Sequence, residues 1–498
     1  MRKALVPLVL LLAFVLLPGN TLADSTEPDT TGTVELEVKS QTLPLKWKIY
    51  QESADRPSTA PIVVNGSVYY VTSSGSLRAL DALTGQTKWE YHPKFDQYSG
   101  RDATRPMVAG NLVLYSVSNL VKIGHHLEHD TIAAYMIAID ASTGEEAWRF
   151  KAVEEVLTAP TVVDNTVYFG SSYATRRVPS NVYFGQVYAL ALTTGELKWR
   201  FPLIDGNVRE DLVASDNTLY VVAEVAEYTR NEHYLYAIDT DTHQTTWRLN
   251  IHSDLHHYEV RDPILDGRTI YIVGPNYGSG TLYAVDTQNG KINWQYRVAP
   301  ANRMEHIDGL SSINASMVFT SPPLLPQPGI TTLPALGDET VYFGINVDTG
   351  QAHPRGRAFG NIIEHYLVAL ESNTGQERWR LRSENELRGR PLVAQNSLYL
   401  RGLGSDIAAV DPNTGQIRWK YETEAPVNGQ FAADRDTLYF VDDDGYFYAL
   451  TIMLPGMPTT GHQQEQHITW VTILALLSLT FGLVLTKRSK AHARTEDY

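Results

Sequence analysis

The feature that most constrains this chain is a phrase it repeats. Residues 77–91 read LRALDALTGQTKWEY, and close variants return at 136–150, 187–201, 235–249, 282–296, 366–381 and 407–421. Each copy alternates apolar and polar residues, reaches an acidic residue followed by x-x-Thr-Gly, and ends on a second run holding a tryptophan. Alternation is the period of a strand. The acid and the glycine are turn residues, because a short polar side chain bonds the turn's own backbone and glycine supplies a positive φ. Asp81, Asp140, Asp239, Asp286 and Asp411 hold the acid position, Glu371 and Ala191 replace it, and His243 replaces one glycine. From this position to the tryptophan is eight residues in all seven copies. A self-similar unit at this period means an array of supersecondary units rather than a conventional domain.

Upstream of each copy another strand opens at Val68, Val113, Val167, Leu219, Ile270, Val341 and Leu398, and an eighth opens at Leu438. Seven residues before these starts, a proline recurs in six units (Pro61, Pro106, Pro160, Pro263, Pro334 and Pro391) and opens an innermost strand. Four strands per unit describe a propeller blade. The eighth unit, 438–452, stops before any tryptophan, while LPLKWKIY at 43–50 supplies one, Trp47, at the other end of the chain. The expected fold is therefore all-β: an eight-bladed propeller whose N-terminal strand completes the last blade and removes the open edge. The blade tryptophans are expected to pack between blades.

The pattern Tyr-Ala-(Leu/Ile/Val)-Asp-x-x-Thr-Gly-x-x-x-Trp resembles the pyrroloquinoline quinone (PQQ) repeat over roughly residues 43–453. The resemblance implies the eight-bladed propeller of quinoprotein alcohol dehydrogenases and of their non-enzymatic relatives. For the enzymes it further implies a quinone in the central funnel with a calcium ion, an aspartate base, a tryptophan floor and often a disulfide of adjacent cysteines. This chain has no cysteine. Eight of its nine tryptophans belong to blade strands, and the ninth, Trp470, lies in a C-terminal apolar run.

The flanks place the propeller. Residues 1–23 carry Arg2 and Lys3 before an apolar run and read as a signal peptide. Residues 24–42 read as a flexible spacer and 454–467 as a linker. Residues 468–486 hold no charge over 19 positions and are followed by Lys487, Arg488, Lys490 and Arg494. That length spans roughly 28 Å as a helix, about one hydrocarbon core. It reads as a transmembrane helix with a cytoplasmic tail at 487–498 and the propeller outside. Residues 24–467 carry 35 Lys and Arg against 54 Asp and Glu, net −19, which argues against a nucleic-acid partner.

Variation between copies is one-sided. The proline-to-strand and acid-to-tryptophan intervals are constant, whereas the second-to-third-strand connection grows from 13 residues to 27, 24, 20 and 30 in blades 2, 3, 4 and 6. In a propeller this connection and the blade-to-blade connection emerge on one face, so the insertions read as loops decorating a binding face. Eleven of 15 histidines fall on it. His125, His126 and His129 in HHLEH are weak metal candidates in a loop, where the helix that an H-x-x-E-H zinc protease needs is not expected. His233, His256, His257 and His365 are binding-face candidates, with His233 and His365 filling space where other blades carry glycine. Just before the proline position, Arg105, Asp211, Asp262 and Arg390 are expected to point into the funnel, with Arg209 and Arg388 two residues earlier on the same strand side.

Two functions from different classes follow. One is a membrane-tethered, monomeric propeller that binds or scaffolds a protein or small ligand through its loop-rich face, without a cofactor. The alternative is a PQQ-dependent dehydrogenase with quinone and calcium near Arg105, Asp211, Asp262 and Arg390.

Overall fold

The computed structural model describes residues 43–51, 55–95, 101–122, 129–153, 155–173, 184–204, 206–208, 210–227, 230–251, 262–274, 280–298, 328–352, 354, 361–404, 406–427 and 430–452. Among them every named element is a strand, and the strands form eight separate antiparallel sheets. The spacing that defines the repeat sets each sheet. In blade 1, Ile62–Val64, Ser67–Val71, Leu77–Asp81 and Thr87–Tyr91 pair in chain order from the axis outward. The first hairpin turns on Asn65 and Gly66 at φ 51° and 71°, the two positive values a two-residue primed turn requires.

Closure is as expected. Leu45–Tyr50 pairs with Tyr446–Thr451, aligning Trp47 with Ala449, so the eighth blade takes its outermost strand from the N-terminal end. The Thr451 N–H donates to the Pro44 carbonyl at 2.9 Å, which sets the two ends of the propeller side by side.

The core consists of eight apolar layers, each shared by two neighbouring blades. In six of these layers the outer part is a tryptophan lock on a turn glycine of the next blade. The Trp89 ring of blade 1 lies under Gly144 of blade 2, where an added Cβ would meet it at 2.7 Å. The same contact joins Trp47 to Gly85, Trp148 to Gly195, Trp247 to Gly290, Trp294 to Gly375 and Trp379 to Gly415. Each of these indoles also donates Nε1–H to the carbonyl following the turn's first position, as Trp89 does to Ala141 at 2.9 Å. The acid shapes that turn: Asp140 Oδ1 accepts the N–H groups of Ser142 and Thr143 at 2.9 and 3.0 Å. In blade 4, His243 takes the glycine's place at φ 57° and meets Trp199 ring to ring at 4.7 Å. The constant eight-residue interval thus ties a local turn to the lock on the next blade.

Two expectations are corrected. The innermost strand is not one piece in blades 2, 3, 4 and 6, where an additional short strand (Arg101–Ala103, Glu155–Leu157, Gly206–Asn207 or Gly329–Ile330) precedes it and pairs with the same neighbour. The insertions of blades 2, 4 and 6 are also not plain loops. Their second and third strands run on as long hairpins: Leu112–Lys122 with His129–Asp140, Thr218–Glu227 with Arg230–Asp239, and Thr340–Ala352 with Asn361–Glu371. Continued backbone pairing satisfies the donors and acceptors that an irregular loop would leave to water.

No helix among the described residues is long and apolar enough to cross a membrane, and the expected span at 468–486 lies outside them.

Candidate functional site

The innermost strands surround a cavity of about 520 Å³ on the ring axis. Its wall is aliphatic, with Leu212, Ile264, Leu336 and Leu392 among the lining residues, and Arg105 and Arg390 are its charged members. Both arginines sit where the chain enters an innermost strand from the preceding blade, which is the hairpin-bearing side.

Four blades contribute to a charged cluster at this mouth. Arg105 Nε donates to Asp211 Oδ2 at 3.0 Å. Asp211 Oδ1 accepts the N–H of Ala159 at 2.9 Å, and the N–H of Asp211 donates to Asp262 Oδ1 at 3.0 Å. Asp262 Oδ2 faces Arg390 Nη2 at 3.9 Å. Arg390 Nε is buried and has no hydrogen-bond partner among the described residues. Burial and the adjacent Asp262 charge push the Asp211 carboxyl above the usual carboxylate range. Burial and the Arg105 charge hold Arg390 below the ordinary guanidinium value.

Of the other predicted residues, Arg388, His365 and His233 have neighbours outside this cluster. Arg388 is mostly exposed and pairs with Glu386 at 3.0 Å. A register shift between Arg388 and Leu392 breaks the alternation on which the funnel expectation rested. His365 is half-buried, its Nδ1 lying 2.6 Å from Asn346 Oδ1, while Asn346 Nδ2 donates to Glu386 Oε1 at 3.0 Å. Burial pulls the His365 imidazole below its usual value. His233 is buried in the third strand of blade 4, opposite Glu224. His129 opens a strand rather than lying in a loop. His125, His126, Arg209, His256 and His257 lie outside the described residues. Among the described residues, no group of three or more histidine, aspartate or glutamate side chains is placed to hold a metal. Sequence reasoning missed Asn346 and Glu386; no motif marks them, because they meet His365 only through pairing between strands and blades.

The axial residues do not fit a calcium-held quinone. Calcium needs several carboxylate or carbonyl oxygens turned toward it. Here both Asp211 oxygens and one Asp262 oxygen already accept hydrogen bonds, and the remaining Asp262 oxygen faces a guanidinium. Among the described residues no tryptophan reaches the axis, because the eight there all lie in outermost strands; Trp470 lies outside the described residues.

Eight blades of four or five strands, six of their junctions locked by a turn glycine and a tryptophan among the described residues, define a β-propeller of the PQQ-repeat type. The chain belongs to the PQQ-like repeat propellers, the superfamily of quinoprotein alcohol dehydrogenases and their relatives. Residues 169–325 and 363–453 match the family described as outer membrane protein assembly factor BamB. Residues 39–219 match the glucose/ethanol/alcohol dehydrogenase β-propeller domain. A quinohemoprotein alcohol dehydrogenase of Comamonas testosteroni is 24% identical over 293 residues, covering 56% of this chain and 38% of that protein. The outer membrane protein assembly factor BamB of Xanthomonas campestris is 35% identical over 100 residues, 20% of this chain and 22% of that protein. The chain thus spans well under half the length of these curated relatives. Among solved structures, a quinohemoprotein alcohol dehydrogenase of Pseudomonas putida HK5 superposes with a TM-score of 0.54 at 15% identity, covering 84% of this chain and 78% of that one. The computationally designed Ika8 protein gives 0.51 at 15% identity, over 81% and 98%. At such identities these structures speak for the fold.

Proposed function

We propose that this protein is an extracytoplasmic, membrane-tethered propeller that binds or scaffolds a partner, a protein first, through its hairpin-bearing face. One observation carries this reading. The projecting hairpins of blades 2, 4 and 6 share one face, while Pro44 and Thr451 bring the two ends of the propeller together on the other. A tether leaving the plain face keeps the decorated face free to engage. The relative named as an assembly factor supports a protein partner. The dehydrogenase alternative draws on the relatives named as alcohol dehydrogenases, and the partnered carboxylates of the funnel count against it.

A photo-crosslinking side chain at Asn361, exposed on the blade 6 hairpin, tests the reading against one at Thr84, exposed on the plain face. In membranes of the native host, Asn361 is expected to give a discrete adduct and Thr84 none. Equal labelling at both positions would remove the case for one binding face.

A further inference from the structure

Numbering the blades around the ring exposes an alternation that a single-blade repeat does not require. Five residues before the turn-acid position, the even blades carry Tyr135, Tyr234, Tyr366 and Tyr446. The odd blades carry Ser76, Gln186, Thr281 and Asp406 there. One residue after the tryptophan, the even blades carry Arg149, Arg248, Arg380 and Lys48, and in every case the cation lies over that blade's tyrosine. The distances are 5.6, 5.3, 5.5 and 3.9 Å to the ring centroid. Among the described residues, cation–ring contacts occur in even blades alone.

Strand parity explains what the cation meets. The residue after the tryptophan points away from the lock on the next blade, hence back toward the preceding one. The second residue after the tryptophan points forward, and in odd blades it is aromatic throughout: Tyr91, Phe201, Tyr296 and Tyr421. In even blades the same position holds Phe150, Leu249, Leu381 and Ile49. Arg149 Nη2 accordingly donates to the Tyr91 hydroxyl of blade 1 at 3.0 Å, and Lys48 reaches Glu424, beyond blade 7's last strand, at 2.9 Å. Tyr296 of blade 5 meets Phe343 of blade 6 with ring centroids 5.4 Å apart, in the layer against which Tyr366 also packs.

We infer that the ring is organised in two-blade units, 1–2, 3–4, 5–6 and 7–8, each clamped by a cation held against the even blade's tyrosine, and that in blades 2, 4 and 6 this clamp positions the projecting hairpin. Tyr135, Tyr234 and Tyr366 lie in the third strands that continue into those hairpins, within His129–Asp140, Arg230–Asp239 and Asn361–Glu371. A clamp at that level anchors each hairpin backward onto its odd neighbour. Blade 8 has no long hairpin, and there the clamp residue Lys48 belongs to the closing strand itself. The positioning role deepens the binding reading above, whereas the pairing of blades stands without it.

Hydrogen exchange on the detergent-solubilised full chain tests the clamp without any partner. Arg380→Met is expected to raise exchange on the order of fivefold, the factor set by one cation–ring contact, on both sides of the 5/6 junction. The affected segments are Ile292–Arg297 and Asn361–Glu371. Arg200→Met, the cation at the same position of odd blade 3, is expected to change blade 3 alone. Arg380→Lys should restore the parent pattern, and Tyr366→Leu should reproduce that of Arg380→Met. A response to Arg380→Met confined to blade 6, or an Arg200→Met response spreading into blade 2, would overturn the two-blade unit. Crosslinking from Asn361 reports on the binding reading separately, so either can fail alone.

Discussion

At the residue scale, the lock makes some glycines irreplaceable and others merely awkward. Gly144 and Gly110 both hold positive φ, 75° and 61°, but a Cβ on Gly144 would strike the Trp89 ring at 2.7 Å, whereas one on Gly110 meets nothing within 4 Å. Gly110→Ala is expected to cost about 1–2 kcal/mol, the left-handed penalty alone, and Gly144→Ala clearly more. Denaturant midpoints decide; equal losses would mean that the indole yields freely. His365 gives a pH dependence. Its imidazole is held below the usual value by burial, so the folded state resists the proton that the unfolded chain accepts. Its contribution is present above about pH 6.5 and is lost as pH falls toward the folded value. Asp81 and Asp140 act in the same direction at lower pH, each lowered chiefly by a side-chain hydroxyl, that of Thr84 or Ser142. His365→Gln should therefore lose less thermal stability than the parent between pH 7.5 and 5.5, and parallel curves would exonerate this histidine. The turn and the lock were legible because each rests on a constant interval. For Arg388 counting by twos carries no information, because a register shift lies beside it.

At the scale of elements, the closing strand is the most consequential. Leu45–Tyr50 is held by its ladder with Tyr446–Thr451, by Lys46 on Asp436 at 2.8 Å, and by Trp47, whose ring covers Gly85 and whose Nε1–H reaches the Ala82 carbonyl at 3.1 Å. The ladder with Tyr446–Thr451 therefore closes the ring where the chain itself does not, and Trp47 adds a side-chain lock to the covalent passage from blade 8 into blade 1. Trp47→Ala is expected to cost about 3–5 kcal/mol, in the range of a buried aromatic truncation, and to turn a single unfolding transition into one with early opening of blade 8. Calorimetry with exchange at Tyr446–Thr451 would show this, and a loss no larger than that of a surface substitution would argue that the ladder suffices. This strand was legible from an arithmetic mismatch, seven complete phrases and one without its tryptophan. The hairpins of blades 2, 4 and 6 were legible as insertions but not as strands. Their outer pairs, such as Asp348 with Ile363 and Ala352 with Asn361, project beyond the interblade layers, so no deep burial imposes the alternation that reveals a strand.

At the scale of the whole molecule, the axis is where the proposed binding reading and the dehydrogenase alternative can be told apart. The repeat closes eight blades around a cavity, and geometry alone then brings Arg105, Asp211, Asp262 and Arg390 from blades 2, 4, 5 and 7 to one mouth. That the four share a direction was readable from their common place before the proline position. That they engage one another was not, because contacts across an axis leave no interval in the sequence. The two arginines and two aspartates largely neutralise each other, and the indole that would floor a flat ring is committed eight times over to blade junctions. The purified full chain is therefore expected to show no micromolar binding of PQQ by absorbance, with or without calcium, and no dye-linked alcohol oxidation. Arg105→Ala and Arg390→Ala supply the decisive comparison. If the parent binds quinone and both variants lose it, the guanidinium groups are ligand-holding and the dehydrogenase reading replaces the one proposed here. If the parent does not bind, Arg105→Ala should still lower thermal stability, because Asp211, already pushed toward its neutral form, would keep its burial and lose its cation.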